Sequence, residues 1–212
     1  MHEIGQLRAR PASRASRRLT GGAEGNSRLT AIAAAVLIVL LAIEGATIPF
    51  LRPLLTVHVF VGMLLLGPVA LKLASTGYRF VRFYTDRGEY REKGPPTPLM
   101  RLIVAPVLVL STLTLFGTGV ALIAFATGRG AMLGLHKASF IVWFGAMSIH
   151  VLAYARRAAR DAVADWGRHR LGGSGLRVAL VIAALVVGVA VAFVTLPLAG
   201  AWTHWASLSI DR

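Results

Sequence analysis

Glu44, His58, Lys72, His136 and His150 interrupt long apolar stretches of this 212-residue chain. Ionisable groups inside apolar segments are expensive, so each is a candidate for function. His58 and His136 each lie about one helical turn inside the start of an apolar block. Two imidazoles at one depth on two facing helices could bind one iron from opposite sides, the bis-histidine ligation of a haem. His136 and His150 are 14 residues apart, almost four whole turns, so they share one helix face. They are separated along the helix by about 21 Å. Phe140, Trp143 and Met147 lie on that face and would either wall a porphyrin or simply pack the helix. The same offset from His58 leads to Lys72, so a second layer sets His150 opposite Lys72. Lys72 is expected to snorkel toward the nearer interface. As a haem ligand it would first have to lose its proton, which burial helps. Glu44 would pair with Arg52 or water, or accept a proton at a quinol site. Gly62, one turn beyond His58, would let a macrocycle approach the backbone or let helices pack closely.

The elements that must position these residues are apolar blocks at about 29–50, 54–77, 99–126, 132–156 and 177–200. Each is long enough to cross a bilayer as a helix, which needs about 20 residues. Hydrophobic residues make up 56% of the chain and charged residues 15%, too few charges for a water-facing surface. The expected fold is therefore all-α, a membrane bundle of five transmembrane helices. Pro68 and Pro106 interrupt spans, and Arg52-Pro53 and Gly94-Pro95-Pro96 mark turns. Gly128, Gly130 and Gly134 precede the fourth block, and Gly172, Gly173 and Gly175 the fifth.

The net charge of +14 would suit nucleic acid in a soluble protein, but here the basic residues flank apolar blocks and no nucleic-acid partner is expected. The segments before the first block, after the second and after the fourth hold six Lys or Arg each, eighteen together. The other side holds Arg52, Arg129, Lys137 and Arg212, which is 4. The positive-inside rule then puts the N-terminus in the cytoplasm and the C-terminus outside. Twenty arginines against three lysines read as the codon bias of a GC-rich bacterium, making the membrane a bacterial plasma membrane. Residues 1–28 read as a disordered basic cytoplasmic tail, 29–156 as a four-helix core, 157–176 as a cytoplasmic linker, and 177–212 as a fifth helix with an outer tail. Arg17-Arg18 is similar to a twin-arginine signal, but the following apolar run is too long for one and lacks a small-residue cleavage site. Trp202 and Trp205 suit an interfacial belt.

With no cysteine, the chain has no disulfides, no cysteine-ligated cluster and no covalent haem attachment through Cys-x-x-Cys-His. Two helices with positions 14 apart facing a common interior resemble the four-helix core of the cytochrome b/b6 family and its cytochrome b561-like relatives. The stretch Phe116-Gly117-Thr118-Gly119 is similar to their small-residue segment. In that family the second and fourth helices hold two haems between four histidines. The resemblance covers roughly 29–156: His58, His136 and His150 match three of the four positions and Lys72 departs from the fourth. It implies one haem b on His58 and His136, with a second possible at His150. Arg52 and Arg129, six and seven residues before His58 and His136, fit as cations for haem propionates and hint at a duplicated hairpin.

The expected function is that of a b-type cytochrome subunit carrying electrons between the quinone pool and a partner redox protein. The chain has no flavin or nicotinamide fold, so it reads as a subunit and not a complete enzyme. The alternative is a haem-free membrane anchor, assembly factor or small transporter, although transporters usually carry broken helices around a midplane site. Tyr78, Tyr84 and Tyr90, among the charges of 79–101, would meet lipid headgroups or a docking protein.

Overall fold

The computed structural model describes residues 21–85, 89–92, 97–125, 129–163 and 171–208. All regular structure among them is helical. The long helices are α1 (Gly22–Thr47), α2 (Leu51–Thr85), α3 (Ala105–Ala124), α4 (Arg129–Val163) and α5 (Ser174–Leu208). A 3-10 turn, Ile48–Phe50, joins α1 to α2, and a single helical turn, Glu89–Glu92, follows α2.

Four helical stretches are long and apolar enough to cross a membrane. The first runs from Gly22 to Thr85 and contains both α1 and α2. It is doubled back on itself. Asn26 Nδ2 donates to the Ser75 carbonyl at 3.0 Å, while Thr47 Oγ1 meets His58 Nδ1 at 2.8 Å, so α1 and α2 are antiparallel. The outward faces are apolar: Leu152 is 83% exposed, Val194 77% and Ile141 70%. Surface of that kind suits hydrocarbon and would drive aggregation in water.

α1 begins at Gly22, where the apolar block starts only at 29. The polar turns of this end are held by side chains. Ser27 Oγ donates to Asp161 Oδ2 on α4 at 3.2 Å, and Asn26 reaches α2. Hydropathy marks where an apolar surround would begin, and the helix runs past it because neighbouring helices satisfy its polar residues. For residues 22–28 the expected tail is thus helix, and residues 1–20 lie outside the described residues. For the same reason α4 extends to Val163, past the expected start of the linker at 157. α5 continues to Leu208, past the end of the fifth apolar block.

Prolines shape two helices. Pro106 lies at the start of α3 and follows a π-helical turn, Met100–Val104, that ends with the Ala105 N–H bonded to the Met100 carbonyl. Proline lacks the N–H for an ordinary bond and crowds the carbonyl four residues back, and the wider turn accommodates both effects. Pro68, inside α2, is fully buried.

α1 to α4 form a ring. Each packs on its two neighbours, α1 on α2 and α4, and α3 on α2 and α4. The diagonal helices stay apart: no Cα of α2 lies within 8 Å of a Cα of α4, nor any of α1 within 8 Å of α3. Leu37, Val61 and Leu65 form a buried cluster between α1 and α2, with Phe116 of α3 packed on it. α5 lies against α2, mostly outside the ring. The two backbones meet where Gly67 faces the carbonyl of Ala184 and Gly188 that of Leu64, and a Cβ at either glycine would collide with the facing carbonyl oxygen. Glycine is what allows this approach. Phe60 and Phe193 close the same interface edge to face at 5.2 Å.

Candidate functional site between helices α2 and α4

His58 sits on α2 and His136 on the diagonal helix α4, each half-buried. His58 lies within reach of the charge of His136, although the two helices do not touch. The hydrogen bonds around each ring assign its protons. His58 Nδ1 is 3.0 Å from Glu44 Oε1 and 2.8 Å from Thr47 Oγ1. Thr47 donates its own proton to the Glu44 carbonyl at 2.6 Å, so its oxygen is left to accept. With Glu44 ionised, its Oε1 and Thr47 Oγ1 both accept, and His58 Nδ1 carries the hydrogen. His136 Nδ1 faces the Leu115 carbonyl at 3.1 Å, a group that only accepts, so it too is an N–H. Thr118 Oγ1, 3.0 Å away, is a second acceptor, because its proton goes back to the Thr114 or Leu115 carbonyl.

Both rings thus hold N–H at Nδ1. In their neutral form the lone pair is at Nε2, the arrangement that second-shell bonds impose on metal-binding histidines. Among the described residues neither Nε2 has a partner. Gly119 packs against the His136 ring, where a Cβ would lie 3.4 Å from Cε1. Haem ligation by two histidines needs a free ring nitrogen on each, and His58 and His136 each keep Nε2 without a partner among the described residues, so the residues present fit that group. Among the described residues no group of three His, Asp or Glu could hold a bare metal ion.

The other layer is arranged differently. His150 lies near enough to Lys72 for their charges to interact, and no contact joins the two. Lys72 does not snorkel away. Its Nζ donates to the Thr30 carbonyl of α1 at 2.8 Å, inside a small polar cluster. Thr30 Oγ1 meets Ser75 Oγ at 3.1 Å, and Ser75 donates to the Lys72 carbonyl at 3.1 Å. A half-buried amine takes the nearest available acceptor, and α1 supplies one. The His150 ring rests on Tyr154, with centroids 5.0 Å apart.

The remaining expected residues are distributed as follows. Glu44 pairs with His58 and not with Arg52, which is exposed at the start of α2. The hairpin brings α1 and α2 together at the level of His58, whereas Arg52 stays on the turn side. Gly62 faces the Glu44 carboxylate of α1, and a Cβ there would lie 3.3 Å from Oε1, so the glycine makes room for a neighbouring helix's side chain, in keeping with its reading as a helix-packing glycine. The Arg129 side chain lies outside the described residues, as do those of Trp202, His204 and Trp205. Trp143 is buried and donates from Nε1 to Thr112 Oγ1 on α3 at 3.1 Å. Phe140 stacks on it at 6.4 Å, and the Trp143 bond ties α4 to α3. Tyr90 is buried against Tyr78, with centroids 5.9 Å apart, and lies under the Arg82 guanidinium.

Sequence reasoning missed Thr47, Thr112 and the Leu115 carbonyl as partners. Thr118 stood in the small-residue stretch Phe116–Gly119, but nothing in its spacing from His136 announces a bond across 18 residues. Comparison with family models, with curated proteins and with solved structures finds no match for this chain.

Proposed function

We propose that this chain is a b-type cytochrome subunit of a bacterial plasma membrane, crossing it five times as α1 to α5 with its N-terminus in the cytoplasm. The observation that supports this reading is the placement of two histidines on diagonal helices, each hydrogen-bonded at Nδ1 and without a partner at Nε2 among the described residues. His58 and His136 would hold one haem b, in the half of the membrane away from the cytoplasm. Haem held this way supplies a one-electron carrier. The protein residues fix its ligands: Glu44 and Thr47 orient His58, and Leu115 and Thr118 orient His136. Arg52 and Arg129, six and seven residues before His58 and His136, would supply cations for the haem propionates. The electrons would pass between the quinone pool and a partner redox protein.

The reading assigns one haem and not two. Lys72 spends its amine on the Thr30 carbonyl, which leaves His150 without an opposing ligand among the described residues. The test is a reduced-minus-oxidised spectrum with a pyridine haemochrome assay on protein purified from haem-replete cells. The expected result is haem b at one per chain. Folded protein without haem would reject the proposal.

A further inference from the structure

The two candidate ligands are not equivalent. The acceptors for His136 Nδ1 are a backbone carbonyl and a hydroxyl, both neutral. Those for His58 Nδ1 are a hydroxyl and the carboxylate of Glu44. That carboxylate is built into the ring of helices. Gly62 leaves room for it, with a virtual Cβ 3.3 Å from Oε1. Its Oε2 is buried and has no hydrogen-bond partner among the described residues.

We infer that Glu44 is the positioning residue that sets the reduction potential of this centre, by placing a carboxylate on the Nδ1–H of one ligand only. The inference rests on the haem reading above. A carboxylate that accepts from an axial imidazole increases its donation to the metal. The oxidised centre carries one more positive charge than the reduced one, and the transition between them is a single electron from or to an external donor. Electron donation and negative charge both favour the oxidised form, so Glu44 lowers the potential. Low local dielectric strengthens the effect.

The experiment is a mediated redox titration of purified protein, with dithionite and ferricyanide as reductant and oxidant, after haem content has been measured. Glu44→Gln keeps an oxygen for the ring N–H and removes the charge. It should retain haem and shift the redox equilibrium toward the reduced form about tenfold, which is about 59 mV for a one-electron couple. Glu44→Ala should shift it in the same direction, and Glu44→Asp, which restores the charge, should return most of the way to wild type. A rise in potential in either neutral variant supports the inference. Wild-type potentials in both neutral variants overturn it. Loss of haem from both neutral variants, with Glu44→Asp retaining it, also overturns it and makes Glu44 a structural support for His58. Wild-type protein without haem would sink the haem reading itself, and this inference with it.

Discussion

Gly119 offers a graded perturbation of the candidate site. It lies on α3 beside the His136 ring, and a Cβ built on it would stand 3.4 Å from Cε1 and 3.8 Å from Nδ1. Both distances are ordinary van der Waals contacts, so Gly119→Ala should be accepted without moving the ring. Alanine in place of a helical glycine also stabilises the helix by about 0.5–1 kcal/mol. Valine is different. Its second shell of carbons lies about 1.5 Å beyond Cβ. Its branching leaves one strongly preferred rotamer, so it cannot turn freely away from the ring. The ring must then tilt, and the bonds from Nδ1 to the Leu115 carbonyl and Thr118 are lost. Loss of such outer-shell bonds costs about 10- to 100-fold in metal affinity, or about 1.4–2.8 kcal/mol. The assay is haem retained per chain after detergent washing, with apomyoglobin as competitor. Gly119→Ala should match wild type, and Gly119→Val should lose haem faster by at least tenfold. Equal retention in Gly119→Val would refute the packing of His136 against α3.

Thr112→Val removes the acceptor of the buried Trp143 indole at nearly constant volume. Leaving that donor unsatisfied should cost about 1–3 kcal/mol in denaturant titration of detergent-solubilised protein, and a cost below about 0.3 kcal/mol would contradict the bond. Gly67→Ala drives a methyl into the Ala184 carbonyl, so it should destabilise the α2–α5 contact by about 1–3 kcal/mol. Haem content in Gly67→Ala should hold in protein that remains folded, because α5 lies mostly outside the ring, and selective haem loss from folded protein would place α5 at the site. Lys72→Met should leave the haem-to-protein ratio of purified protein unchanged, and a fall in that ratio would reinstate Lys72 as part of a haem site.

Much of the fold was legible because helices in an apolar surround announce themselves by length and hydropathy. The long helices cover the apolar blocks, and their disagreements fall at the polar ends. There, Ser27 and Asn26 are held by other helices, a tertiary effect with no local signature. The 14-residue offsets from His58 to Lys72 and from His136 to His150 could be read directly from the sequence. What composition and spacing could not give was the partner of each polar group. Arg52 is nearer to Glu44 in sequence than His58 is, but the hairpin register delivers His58 to it. Lys72 was expected to reach for headgroups because the Thr30 carbonyl, already part of a helix, is invisible as an acceptor in a sequence.

The central claim is that His58 and His136 together hold one haem. Its most direct test is the haem-to-protein ratio, by pyridine haemochrome, of purified His58→Ala, His136→Ala and His150→Ala beside wild type. The account predicts near-complete loss in the first two and a ratio of one in the third. Retention of haem in His58→Ala or His136→Ala, or equal loss in all three, would contradict it.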